Sequence, residues 1–89
     1  MTSEPRHSTD DREVISYETM VANRPILIAI DRETIEDWLG VETTTPEERL
    51  ALVNREMPVL TRCAVEALRG APDATGIMLK LEHLPNRAS

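Results

Sequence analysis

His83, Cys63 and the arginine series Arg55, Arg62 and Arg69 are the residues in this sequence whose types and spacing could do chemistry. A histidine acts as a base when a nucleophile or an orienting carboxylate stands beside it. His83 lies next to Leu84 and Pro85, and His7 lies in a polar stretch near the N-terminus. A small hydrolase would therefore need the fold to bring an acid to His83. Cys63 is the one cysteine, so neither a disulfide framework nor a cysteine-based zinc site forms within one chain. Glu36 and Asp37 are adjacent carboxylates with no histidine nearby, which reads as a solvated face and not as a cation site. The three glycines, Gly40, Gly70 and Gly76, each fall at the end of an expected element, and none belongs to a phosphate-cradling loop. No catalytic residue, metal ligand or cofactor site is expected.

Arg55, Arg62 and Arg69 recur every seven residues on one side of a helical pattern, opposite its apolar face. Glu66 follows Arg62 by four and precedes Arg69 by three, so part of this charge is neutralised locally. The strip is either a solvated face or a contact for an acidic partner, nucleic acid included. Sixteen acids against ten bases give a net charge of −6, and phosphate backbones and anionic lipid repel such a chain. Only 2% of the residues are aromatic, too few for base-stacking platforms.

The elements that carry these residues are legible from period and punctuation. Residues 12–21 alternate, with Ile15, Tyr17, Thr19 and Val21 on one face, and read as a strand. Ala22 to Pro25 is a turn, and the continuous apolar run Ile26 to Ile30 is a second strand with both faces covered. Asp31 then caps a short helix whose Ile35, Trp38 and Leu39 share a face, and Gly40 ends it. Thr45, Pro46 and Glu48 form a capping box for a long helix that reaches Arg69. Leu50, Val53, Met57, Leu60, Ala64 and Leu68 make its apolar face, and Pro58 imposes a kink or a break. A third strand follows, with Ile77, Leu79 and Leu81 inward.

The expected fold class is α+β, in the order β-β-α-α-β. It has a three-stranded, mainly antiparallel sheet with the short helix and the kinked long helix on one face. Residues 12–84 form the single domain, between a disordered tail at residues 1–11 and a loose one at 85–89. No apolar run is long enough to span a membrane, and with no secretory leader the expected location is the cytoplasm.

The segments "AIDRETIEDWLG" (Ala29 to Gly40), "TPEERLALV" (Thr45 to Val53) and "IMLKL" (Ile77 to Leu81) resemble a small bacterial family, domain of unknown function 1488. The shared features are a strand hairpin, an acidic entry into a first helix, a Pro-Glu start to a second helix and a closing strand, over residues 13–84. The resemblance implies the same layout and carries no residue roles with it.

Leu52, Val59 and Cys63 form a second apolar seam on the long helix, away from the Leu50 to Leu68 face. Either the short helix or a second subunit covers it. With Phe absent and a thin core, the expected state is a homodimer through that seam, or through paired sheet edges. The function expected is that of a non-enzymatic interaction or regulatory protein with an unknown protein partner. The alternative is a nucleic-acid-associated regulator using the arginine strip.

Overall fold

In the computed structural model, which describes residues 5–7, 13–71 and 73–85, the chain runs β1 (Arg6–His7), β2 (Ile15–Val21), β3 (Arg24–Ile30), α1 (Arg32–Leu39), α2 (Pro46–Leu68) and β4 (Gly76–Leu79). A 3₁₀ turn, Leu81–His83, closes it. The fold class is the α+β layer expected from the sequence, with one mixed sheet in the order β1-β2-β3-β4. β1 and β3 flank β2 antiparallel, whereas β4 runs parallel to β3. Both helices intervene between β3 and β4, so the chain returns by a crossover, and a crossover delivers a parallel neighbour.

Four local readings are corrected, the last of them, on the faces of β3, with the core below. The sheet gains a fourth strand, because Arg6 and His7 of the segment expected to be loose pair with Ser16 and Ile15. Edge pairing uses backbone groups, so it needs no apolar side chains. The rest of that tail lies outside the described residues, as do residues 86–89. The turn is shorter than expected: Val21 pairs with Arg24, and Ala22 and Asn23 alone make it, at φ 53° and 66°. Two successive left-handed residues are the geometry that matches the twist of a two-residue hairpin. Pro25 then enters β3 at no cost in pairing. Opposite Met20 it occupies a non-hydrogen-bonded position, so its missing N–H would have pointed away from β2, beyond the end of β4. Finally, the third strand stops at Leu79. Leu81, expected inward, is 48% exposed in the 3₁₀ turn.

Both helix starts follow their caps. Asp31 accepts from the Thr34 N–H at 2.8 Å, and Gly40 ends α1 at φ 72° with its N–H on the Glu36 carbonyl. Thr45 and Glu48 exchange the two hydrogen bonds of a capping box. α2 passes through Pro58 as one continuous helix. Proline removes one backbone hydrogen bond there, but Val53 before it and Leu60 after it are fully buried. Burial of two such side chains, at about 1.5–3 kcal/mol each, outweighs that loss. Tyr17 adds a tie across the layers, its hydroxyl 2.8 Å from Thr61 Oγ1 and 3.3 Å from the Met57 carbonyl.

The core lies between one face of the sheet and the helices. Ile15, Tyr17, Ile26, Ile28, Ile30 and Leu79 point up from the strands, and Ile35, Trp38, Leu52, Val53, Leu60 and Ala64 come down from the helices. The Trp38 indole donates to the Pro85 carbonyl at 2.8 Å, which draws the chain after the 3₁₀ turn back over α1. β3 does not have both faces covered, as its apolar run had suggested. Its even-numbered residues from Ile26 to Ile30 are buried, and Leu27 is 49% exposed.

Candidate functional site

A connected polar cluster gathers where β3 ends and α1 begins. Arg32 Nη1 lies 2.6 Å from Glu13 Oε2, and Arg32 Nε donates to Glu36 Oε2 at 2.9 Å. The same Glu36 oxygen accepts from the Thr44 hydroxyl at 2.9 Å. Thr44 in turn receives the Arg49 Nη1 group on its carbonyl at 2.7 Å and on its Oγ1 at 2.9 Å. Arg49 Nη2 returns to Glu13 Oε1 at 3.4 Å. Glu13, Arg32, Glu36, Thr44 and Arg49 therefore close a ring that ties the entry to β2, the helix α1, the connecting loop and the first turn of α2.

Arg49 is the residue that the sequence reading missed. Its side chain is 1% exposed, the largest among those fully buried. The signal was present, since Arg49 stands four residues before Val53 and lies on the same helix face as Leu60 and Ala64. A guanidinium so placed needs a fixed hydrogen-bonding shell and a counter-charge. Glu13, itself at φ 52° in the left-handed region, supplies the charge.

An open cleft beside this ring is lined by Glu13, Asp31, Arg32, Glu33, Glu36, Met78 and Lys80, at the carboxyl ends of the parallel strands β3 and β4. Asp31 reaches Lys80 Nζ at 3.5 Å. Burial pushes the Asp31 carboxyl up, but the Thr34 hydrogen bonds and the Lys80 charge outweigh it and hold it below its ordinary range. Glu36 behaves alike: partial desolvation is overcome by Arg32 and Thr44, and its carboxyl is lowered. Its acidity strengthens the partner, and the Arg32 guanidinium is raised by Glu13 and then Glu36. Carboxylates held ionised by neighbouring cations suit a structural clamp.

The residues singled out from the sequence are not brought together. Arg62 is exposed, Arg55 lies 3.5 Å from Glu56, and Arg69 lies 3.9 Å from Glu66 at the exposed end of α2. His83 Nδ1 accepts the Lys80 N–H at 2.9 Å, which makes it a cap for the 3₁₀ turn, and its Nε2 is 3.9 Å from the neighbouring Glu82. The side chain of His7 lies outside the described residues. Cys63 is partly buried, and burial first of all raises its thiol, opposite to the change an activated nucleophile needs. Among the described residues, no three His, Cys, Asp or Glu side chains converge as a metal site. No helix among them is long and apolar enough to cross a membrane.

Of the second helix seam, Leu52, 4% exposed, and Cys63 meet this chain's own core, and Val59 stays partly exposed outside it. A helix lying across a sheet buries a wide stripe, and here the stripe takes in Leu52 beside Val53, Leu60 and Ala64. Apolar side chains are left uncovered at Val41, between the helices, at Leu81, in the 3₁₀ turn, and at two positions on the sheet. On the face away from the helices, Met20 is 47% and Leu27 49% exposed. Strand register sets Pro25 beside Met20, and sets Ala29 between Ser16 and Met78.

Comparison with protein-family models, curated proteins and solved structures found no match for this chain.

Proposed function

We propose that this chain is a non-enzymatic protein-interaction or regulatory domain of the bacterial cytoplasm, that it works as a homodimer, and that its contact surface is the open sheet face. One observation carries the reading. Met20 and Leu27 project from the side of the sheet that neither helix covers, next to Pro25 and Ala29. Leu27 and Met20, with the exposed Glu18 opposite Leu27, make a small mixed face suited to a partner that removes the two apolar side chains from water. Each large side chain so covered contributes about 1.5–3 kcal/mol. The resemblance of residues 29–40, 45–53 and 77–81 to domain of unknown function 1488 is what suggests the bacterial setting.

Light scattering on the purified chain tests this. The wild type is expected at twice the chain mass at micromolar concentration. Met20→Lys with Leu27→Lys is expected at the single mass with the same far-ultraviolet circular dichroism. A wild type that runs as a folded monomer refutes the dimer.

A further inference from the structure

Where the hairpin turn meets the last turn of α2, the core surfaces in a pocket of about 270 Å³. Val21 and Ile26 from the hairpin and Val65 and Leu68 from α2 form its apolar walls. Ala71 and Ala74, from the loop after the helix, flank them with side chains too short to fill the space. Among the described residues, the charged ones lining the pocket are Arg24 and Arg69, both cationic, in a chain whose net charge is −6. Arg24 Nη2 donates to the Ala74 carbonyl at 3.4 Å, which spans the gap between hairpin and loop. The Arg69 side chain is 74% exposed and touches Glu66 only at 3.9 Å, so it is able to turn toward a ligand.

We propose that this pocket binds an aliphatic monocarboxylate of about eight carbons, its chain against the apolar walls and its carboxylate on Arg24 and Arg69. Size supports the class: at roughly 30 Å³ per water-sized group the space takes about nine such groups, at the small end of ligand pockets. Charge supports it too, since guanidinium groups bind carboxylates through paired N–H donors. A peptide ending in a carboxylate offers the same anion, but its backbone needs polar partners alongside, and these walls are apolar side chains. The free acid is the better fit. This site lies on the helix side of the sheet and stands or falls separately from the contact face proposed above.

Nuclear magnetic resonance titration of the full chain tests it, with octanoate, hexanoate and octylammonium below micelle-forming concentrations. Octanoate is expected to saturate one site, with shifts confined to residues 21–26 and 65–74. Each methylene is worth about fourfold in affinity, so hexanoate, two methylenes shorter, is expected to bind about sixteenfold more weakly. Octylammonium is expected to bind at least about tenfold more weakly, because it meets like charge. Arg24→Gln with Arg69→Gln is expected to weaken octanoate about tenfold, with the far-ultraviolet circular dichroism of the folded chain retained. Ala74→Leu, which fills the pocket without touching its charge, is expected to abolish binding. Octylammonium binding as tightly as octanoate overturns the proposal, as do shifts that map to Met20 and Leu27. A leucine-terminated peptide that binds more tightly than octanoate also overturns it.

Discussion

Arg49 and Glu13 hold each other in place: the guanidinium is 1% exposed, and the carboxylate 3.4 Å away is the counter-charge that lets it stay buried. Removing one member of such a pair strands the other, whereas removing both removes the conflict. Glu13→Gln is expected to destabilise the chain by about 2 kcal/mol, less than a wholly buried pair would show because Glu13 remains partly solvated. In an Arg49→Met background the same change is expected to cost at least about 1 kcal/mol less. Urea unfolding of the four proteins in this cycle measures the difference, and equal costs would show that the two residues are not coupled.

Acid sensitivity follows from Asp31 and Glu36. Both carboxyls are lowered in the folded chain, so the folded state binds their protons less readily than the unfolded state does. Their contribution is complete above the ordinary values of 3.8 and 4.5 and is lost as pH falls below them. The urea midpoint is expected to hold steady from neutral pH to about pH 5 and then to drop. Asp31→Asn with Glu36→Gln should lower the neutral-pH midpoint and flatten the drop. An unchanged acid limb in that variant would assign the sensitivity elsewhere.

The hairpin turn can be improved. Ala22 holds φ 53°, a left-handed conformation that costs an L-residue about 1–2 kcal/mol. Replacing Ala22 with Asn and Asn23 with Gly gives the residue pair this turn favours. The double variant is expected to gain about 0.5–1 kcal/mol, read as a higher melting temperature by calorimetry. A lower one would mean that the turn relaxes to another type in solution.

Gly76 is fixed by its neighbour. A Cβ at this position would stand 2.9 Å from the Leu27 carbonyl oxygen and 3.3 Å from the Leu27 Cβ. The obstacle is backbone, so it cannot swing aside. Gly76→Ala is expected to cost about 1–3 kcal/mol and to loosen the β3–β4 pairing. Amide hydrogen exchange at Leu27, whose N–H donates to Thr75, should quicken more than exchange at Thr19.

The parts of the fold visible in the sequence were those written in local chemistry. The caps at Asp31 and Thr45, the stop at Gly40 and the alternation from Ile15 to Val21 each depend on a few neighbouring residues. What stayed hidden depended on distant ones. The pairing of Arg6 with Ser16 is made by backbone and leaves no mark in side-chain pattern. The exposure of Leu27 is decided by which face the helices choose, and an apolar run reads the same from either side. Arg49 was hidden in a different way, because an arginine on a helix is taken for a surface residue unless its row is followed to Val53 and Leu60. Which of the two covers for the second seam applies is equally non-local, since Leu52 is claimed by this chain's own core only through the path that the long helix takes across the sheet.

The parallel pairing of β3 with β4 also orders events in time. The hairpin from Ile15 to Ile30 and the capped α1 close over short stretches of chain, but Leu27 meets Gly76 only after both helices have been laid down. Loops of that length close more slowly than a hairpin does. During the interval β3 already has its apolar run in place and offers an unsatisfied edge to solvent, where a neighbouring molecule's strand competes with β4 for the same backbone groups. Refolding yield should therefore fall as protein concentration rises, and adding a synthetic Thr75 to Leu79 peptide during refolding should depress it further.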